Sequence, residues 1–451
     1  MSTRRLIKNG CVLTMDSSLG TLRKADILIE DSLIVTIQAD LDVSDSEVID
    51  ATDMIVMPGF VDTHRHVWES LLRTIGADWS LPAYLQSIYY GGLGSRLRPA
   101  DSYAANLLGA LEALNAGVTT VLDWTMIYSP DHADELIRGL RDSGMRAVFA
   151  YGVSGETDYW SRDSQKIFPE DVYRVKKEYF ASDDQLLTMG LAIRGPEFSS
   201  WEATVREIGL ARELGALCSM HVGFGSWGAD DRSVEKLYKA GLLGPDLNMV
   251  HANTMGFDEY KLLADAGASL SVTPEVEMMM GHGYPATGHF LENGGTPALG
   301  VDVVTSTGGD MFTQMKFALQ AERARVNQDI LASKNMPGEL NLQAGQVLHF
   351  ATAAGAKALR LDHKIGTLAP GKEADLILIR TTDLNLFPVS DPIGAVVQFA
   401  NPGNVDAVFV AGRPVKRHGQ LLNVDLNHIR KLANESRQHL LASSAGANKK
   451  P

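Results

Sequence analysis

The sequence predicts an α/β protein: a TIM-like (β/α)8 barrel with a small discontinuous β-sandwich domain built from both termini. Three observations predict this. Short strand-like segments fill the start of the chain and return after residue 360. Between them, apolar strand-like runs alternate with helical ones, which is typical of a parallel α/β architecture. Eight strand–helix units occupy roughly 250 residues, the usual size of such a barrel.

The two terminal segments are predicted to form the sandwich. Residues 1–57 contain apolar runs such as 25–30 and 33–37, and the polar pair between these two runs suits a hairpin. Residues 361–421 contain further short strands bounded by Gly and Pro, and they are expected to pair with the first segment. Residues 422–451 are predicted to form a final helix and a frayed tail.

Residues 58–360 are predicted to form the barrel domain. Segments with a helical sequence pattern separate its strands, for example at 100–115 and 201–214. The chemistry of such a barrel lies at the carboxyl ends of its strands. The eight predicted strands are the run that carries His64 and residues 118–123, 147–152, 187–193, 216–221, 247–251, 268–273 and 297–301.

Composition excludes several classes of function. The formal net charge of −14 argues against nucleic acid or an anionic membrane as a partner. The two cysteines lie far apart in the sequence and indicate no disulfide framework. No apolar run approaches the ~18–20 residues of a membrane span, and the N-terminus lacks the apolar core of a secretion signal. We therefore expect a soluble, cytoplasmic protein.

Two histidines, His64 and His66, end the first barrel strand. Alternate residues of a strand point to the same face, so both imidazoles should project together. Two imidazoles on one side of a strand end provide half of a metal site. On this pair alone, two surface or core histidines are an equally good interpretation.

Three further polar residues end later strands. His221 and His251 each terminate an apolar run, and Asp302 follows the last predicted strand. A single histidine in such a position is usually structural. Four histidines and one carboxylate at the same end of a barrel, however, indicate a site for a divalent metal ion.

Several longer motifs then carry a family resemblance. Residues 57–66 read Met-Pro-Gly-Phe-Val-Asp-Thr-His-Arg-His, and the segments 71–73, 116–120, 351–356 and 366–376 are characteristic in combination. Together they resemble the metal-dependent amidohydrolase superfamily, in particular its chlorohydrolase/deaminase branch of triazine hydrolases and cytosine or guanine deaminases. The resemblance covers essentially the whole chain and implies a barrel with a flanking β-sandwich.

The resemblance also implies a ligand set for one divalent ion per subunit. The ion is expected to be zinc, with iron, cobalt and manganese as alternatives. Relatives with two ions use a lysine on the fourth strand; the corresponding residues here contain none, which favours a mononuclear site. The implied ligands are His64, His66, His221 and Asp302.

The implied reaction is attack by a metal-bound hydroxide on a small molecule, with cleavage of a non-peptide C–N bond. Asp302 would transfer protons and His251 would orient the nucleophile. The reaction is deamination or hydrolysis of an amide, urea or carbamate. Displacement of chloride or thiolate is the alternative within enzymes, and a non-catalytic binding or assembly protein is the alternative of another class. The resemblance also suggests a homo-oligomer.

The chain departs from the deaminase pattern in its predicted pocket. Phe224 stands where many deaminases carry a glutamate that protonates a ring nitrogen, and it becomes a candidate substrate contact. Glu277 and His282 are predicted to take over acid–base or substrate-binding work. Further substrate contacts are predicted just beyond the first two strands, although ordinary packing explains them equally well: Trp68, Glu69 and Asp123.

Overall fold

The structure, a computed structural model, describes residues 3–447, which form two compact units. One unit comprises residues 3–63, Glu112–Thr120 and Asp310–Val424. The other comprises His64–Leu111, Val121–Gly309 and residues 425–447. No helix in the described range is long and apolar enough to cross a membrane.

A nine-stranded sheet is built from both ends of the chain, as predicted. Strand β5 pairs with the late strand β14 in antiparallel register, with Val56 opposite Leu378. Apolar side chains such as Ile7, Ile27 and Phe409 alternate into a fully buried core. The strands are β1 (Arg4–Leu13), β2 (Thr21–Glu30), β3 (Leu33–Gln38), β4 (Glu47–Asp50), β5 (Met54–Pro58), β14 (Leu376–Arg380), β15 (Val405–Val410), β16 (Arg413–Arg417) and β17 (Gln420–Leu421).

Eight strands form the second sheet, and they follow one another in chain order from β6 to β13. A parallel bridge between Arg65 and Asp302 brings its first and last strands together, which confirms the prediction of a nearly closed barrel. Both faces of these strands are covered, so β7 and β8 are buried at every residue. The strands are β6 (Phe60–Arg65), β7 (Val118–Trp124), β8 (Arg146–Gly152), β9 (Leu187–Ala192), β10 (Leu217–Val222), β11 (Leu247–His251), β12 (Ser269–Val272) and β13 (Ala298–Leu299).

The helices begin and end at recognisable signals. Helix α3 has proline in its first turn and ends at Gly144, whose φ of +74° suits a residue without Cβ. The Ser200 hydroxyl accepts a hydrogen bond from the Ala203 N–H and caps α5. The helices are α1 (Leu81–Ile88), α2 (Pro99–Asn115), α3 (Pro130–Ser143), α4 (Asp171–Tyr179), α5 (Trp201–Glu213), α6 (Gly228–Asp231), α7 (Ser233–Lys239), α8 (Phe257–Asp265), α9 (Pro274–Met280), α10 (Thr287–Glu292), α11 (Met311–Ala332), α12 (Ala344–Phe350), α13 (Ala353–Ala358), α14 (Pro392–Gly394) and α15 (Leu426–Ala447).

Two helices surround the predicted pocket residue His282. Glu277 lies on α9, where Pro274 at the first position favours a helix start, and α10 follows His282. The final helix, predicted together with a tail in residues 422–451, extends to Ala447. Residues 448–451 of that tail lie outside the described residues.

Candidate active site

The strand ends bring the predicted metal-binding side chains to one place. The Nε2 atom of His64 lies 3.2 Å from Nε2 of His221 and 3.2 Å from Oδ1 of Asp302. The same Oδ1 atom lies 3.4 Å from Nε2 of His66, and Oδ2 lies 3.9 Å from Nε2 of His251. Four imidazoles and one carboxylate, from five different positions along the chain, thus face a common point.

Burial favours the neutral form of three of these imidazoles. Desolvation lowers the pKa of His66 and of His251 to about 3, and it lowers the pKa of His221 well below its ordinary value. Burial alone would raise the pKa of Asp302. The hydrogen bond with His64, together with the attraction that His64, His251 and His66 exert in their protonated forms, outweighs that effect and holds the pKa of Asp302 well below its usual range.

The backbone is strained where two of these residues leave their strands. His251 has a φ of +76° and Asp302 a φ of +68°, a region that residues with a side chain rarely adopt. Such a conformation costs on the order of 1–3 kcal/mol at each position. It turns both side chains sharply out of the strand direction at the point where the nitrogen and oxygen atoms converge.

The donor set fits a divalent metal ion. Candidate ligand atoms of His64, His66 and His221, and those of His64, His251 and Asp302, form two groups in which all atoms lie within 4.8 Å of one another. Metal binding requires neutral imidazoles and an ionised carboxylate, and burial and mutual charge favour those forms here. Nitrogen and carboxylate oxygen are ligands that zinc and neighbouring transition metals accept.

Glu277 stands behind His251. Its Oε1 atom lies 3.1 Å from Nδ1 of His251 and accepts hydrogen bonds from the N–H and the hydroxyl of Thr273. Burial raises the pKa of Glu277 to about 7, although its hydrogen bonds lower it. Glu277 is absent from the described residues that line the central cavity, but it contacts two that do: its side chain meets the imidazole of His251, and its carbonyl accepts a hydrogen bond from the N–H of His282.

Asp123 supports the turn that follows the first two histidines. It accepts hydrogen bonds from the backbone N–H of Val67, at 3.2 Å, and from the amide of Asn106, at 2.7 Å. Burial raises the pKa of Asp123 to about 7. Both oxygens are engaged with protein groups, and the side chain lies outside the cavity lining.

Trp68 and Glu69 are likewise buried behind the cavity wall. Glu69 accepts a hydrogen bond of 2.6 Å from the hydroxyl of Tyr84, and burial raises its pKa well above the ordinary value. The ring of Trp68 packs against Tyr89 with 6.1 Å between ring centroids. Tyr84 and Tyr89 themselves line the cavity, so the two predicted residues lie one layer further from it.

Phe224 and His282 do line the cavity above the histidines. The Phe224 ring lies 5.1 Å from His251 and 5.6 Å from His282 between centroids. Both ring nitrogens of His282 are buried without a hydrogen-bond partner among the described residues. An imidazole that faces a cavity with two unused nitrogens is available to a bound molecule.

The rest of the cavity wall was not predicted. It comes from α1, from the residues just after α1 such as Tyr89, and from the loops after β8 and β9, which carry Trp160 and Phe198. The one sequence signal is the clustering of aromatic residues just beyond strand ends, which buried packing produces equally often. The lining residues are His66, Leu81, Tyr84, Leu85, Tyr89, Tyr90, Trp160, Phe198, His221, Phe224, His251, His282 and Asp302.

Comparison with known proteins gives the family. The Amidohydrolase family matches residues 55–415. A 5-methylthioadenosine/S-adenosylhomocysteine deaminase of Thermococcus sibiricus is 30% identical over 428 residues, covering 91% of this chain and 93% of the relative. A 5'-deoxyadenosine deaminase of Methanothermobacter thermautotrophicus is 28% identical over 425 residues, covering 92% and 94%.

Solved structures show the same fold. An adenosine deaminase from Xanthomonas campestris with bound zinc has a TM-score of 0.83 at 21% identity, covering 98% of this chain and 99% of the other. An atrazine chlorohydrolase from Arthrobacter aurescens complexed with zinc has a TM-score of 0.83 at 22% identity, covering 96% and 100%. The chain belongs to the amidohydrolase family and is a metal-dependent hydrolase of non-peptide carbon–nitrogen bonds in small molecules.

Proposed function

We propose that this protein is a mononuclear, zinc-dependent deaminase that removes an amino group from an unsaturated ring of a small molecule. The observation that carries the proposal is the convergence of four imidazoles and one carboxylate beneath a mostly aromatic cavity. Deamination is favoured over amide hydrolysis because flat rings suit such walls, and because the relatives named above are deaminases.

Four side chains would hold the ion: His64, His66, His221 and Asp302. We propose a single ion because β9, the fourth barrel strand, contains no lysine that could bridge two metals. A bound divalent ion supplies Lewis acidity and lowers the pKa of water towards ~7.

Asp302 would transfer the protons, and His251 would orient the nucleophile. Asp302 would accept a proton from the attacking water at Oδ2, the atom that faces His251, and would donate it to the departing amine. Glu277 would accept a hydrogen bond from the Nδ1–H of His251, so that Nε2 faces the reaction site as an acceptor. In this scheme Glu277 acts by fixing the orientation of His251.

The cavity favours a neutral, flat substrate. Phe224, Trp160 and Phe198 provide faces and edges on which a ring can pack. Asp302 is the one carboxylate among the described lining residues, so no further acid is available to protonate a ring nitrogen. We assign that contact to His282, whose ring nitrogens are unused by the protein.

The experiment is a substrate screen with metal-loaded protein, read by ammonia release. The panel contains 5'-deoxyadenosine, 5-methylthioadenosine, cytosine and aminotriazines. An amide and a urea are included as comparison substrates. His66→Ala and Asp302→Asn should lose both bound metal, by elemental analysis, and turnover. His289→Gln is the control because His289 lies on the half-buried face of α10, away from the cavity.

Three results would contradict the proposal. Purified protein that contains no stoichiometric metal would contradict the proposed metal site. Turnover that survives in both His66→Ala and Asp302→Asn would contradict it as well. Release of chloride from a chlorotriazine without ammonia release from any amine would favour displacement of another leaving group. The cytoplasmic location and the homo-oligomeric state stay predictions, which fractionation and light scattering would test.

A further inference from the structure

A buried carboxylate that is not among the predicted site residues hydrogen-bonds a segment of the cavity wall. Glu197 lies in the loop between β9 and α5 and is 2% exposed. Its Oε1 atom accepts hydrogen bonds from the backbone N–H of Gly223, at 2.7 Å, and from the hydroxyl of Ser233, at 2.8 Å. Its Oε2 atom accepts one from the indole N–H of Trp227, at 2.8 Å. Three donors on one carboxylate make a strong anchor.

These donors span the segment that follows His221. Gly223 and Gly225 have φ values of +63° and +65°, and no helix begins until α6. Glycine adopts such angles freely but also adopts many others, so the segment does not fix its own shape. Glu197 ties down both ends of it, while the Gly225 N–H donates to the carbonyl of His282.

The anchored segment carries Phe224. Its ring lies 5.9 Å from Phe198 and 5.2 Å from Trp227, and those two rings are 6.2 Å apart. Phe224 and Phe198 line the central cavity. Phe198, Trp227 and Glu197 line an outer chamber of about 480 Å³ that shares wall residues with it. The aromatic group formed by Phe198, Phe224 and Trp227 therefore lies between the outer chamber and the cavity that the histidines line.

We propose that Glu197 is a positioning residue for the hydrolytic reaction: it holds residues 222–227 so that Phe224 forms the substrate-facing wall. The identity of the substrate used in the test rests on the proposed function, but the anchor itself does not. Because the anchor shapes the cavity and touches neither His251 nor Asp302, its loss acts on substrate binding more than on the chemical step.

The charges around Glu197 give its role a pH dependence. Asp231 raises its pKa and faces it from α6, and Arg162 pairs with Asp231 from the loop after β8. Burial, the largest cause, raises the pKa of Glu197 to about 7, while the three donors lower it. Below that pH a protonated Glu197 accepts hydrogen bonds as a neutral group, and its three hydrogen bonds become weaker than those of a carboxylate.

The kinetic test compares Glu197→Gln with Glu259→Gln, using the best substrate of the screen between pH 5.5 and 8.5. Glu259 is an equally buried carboxylate that accepts hydrogen bonds from backbone N–H groups at α7 and α8, far from the cavity lining. Glu197→Gln should raise KM about tenfold, the equivalent of one hydrogen bond to a charged group, with a smaller change in kcat and unchanged metal content. The wild-type KM should rise below about pH 7, and this rise should be absent in Glu197→Gln. Glu259→Gln should keep the wild-type KM.

A spectroscopic arm needs no substrate. The fluorescence of Trp227, taken as wild type minus Trp227→Phe, should titrate with a midpoint near pH 7 and lose this transition in Glu197→Gln. An unchanged KM and pH profile in Glu197→Gln, or an equal rise of KM in Glu259→Gln, would overturn the positioning role. If no compound of the screen is turned over, the proposed function fails. The anchor is then judged by fluorescence, and a transition that persists in Glu197→Gln overturns it.

Discussion

Replacing Gly300 by alanine tests whether the backbone of β6 sets the metal site. A Cβ at position 300 would lie 2.8 Å from the carbonyl oxygen of His64, 2.9 Å from its nitrogen and 3.0 Å from its Cβ. Ordinary contacts begin near 3.4 Å, so the two strand ends must separate by about half an ångström. Metal–ligand distances tolerate roughly 0.2 Å. We therefore expect Gly300→Ala to weaken metal affinity by about 10–100-fold, the range seen when groups supporting a ligand are altered.

The assay is competition for the metal with a chromophoric chelator, followed by kcat/KM at saturating metal. The matched control is Gly209→Ala in α5, where an added Cβ meets nothing within 4 Å. That variant should bind metal normally and gain roughly 0.5–1 kcal/mol of stability, because alanine suits a helix better than glycine. Metal affinity and kcat/KM within twofold of wild type in Gly300→Ala would refute the reasoning.

Three further outcomes follow from the structure. Arg194→Ala leaves the buried Glu207 carboxylate without its partner and removes the hydrogen bond that holds the loop after β8, so Tm should fall by roughly 3–5 °C. Arg194→Met/Glu207→Leu should regain most of this, and a double variant as unstable as Arg194→Ala would contradict the pairing argument. Burial, with a smaller contribution from Arg380, lowers the pKa of Lys416 to about 8, so the ammonium proton is bound more tightly in the unfolded chain than in the folded one. Urea midpoints should therefore rise with pH from about 8 to about 10.5, and Lys416→Met should flatten that rise. Chelation of the metal should lower Tm and abolish turnover, and added divalent metal should restore both; a Tm indifferent to chelation would count against a bound ion.

The barrel and the convergence of the strand-end residues could be predicted because both follow from local patterns. Apolar runs of strand length end in His221, His251 and Asp302, and the carboxyl ends of parallel strands meet at one end of a barrel. The alternation of side chains places His64 and His66 on one face. These statements need no knowledge of how distant segments pack.

The cavity wall could not be predicted, because long-range contacts set the loops that form it. The Arg194 guanidinium donates to the carbonyls of Tyr159 and Lys166 and so fixes the loop that carries Trp160. Nothing in the local sequence of that loop shows this anchor. Glu197 is hidden for the same reason, since its three donors lie 26 to 36 residues away in the chain.

The seam of the barrel has a consequence for biosynthesis. The first and last strands join through the N–H of Asp302 and the carbonyl of His64, and through the N–H of His66 and the carbonyl of Asp302, each at 2.9 Å. The side chains of the same residues face the ion site. During synthesis the eighth strand must therefore emerge before the full proposed ligand set exists. A nascent chain that ends before Asp302 contains only the histidine ligands. With the proposed ligand set, metal binding would follow the formation of the eighth strand, and the bound ion would link β6 to the end of β13, the two barrel strands that lie furthest apart in the sequence.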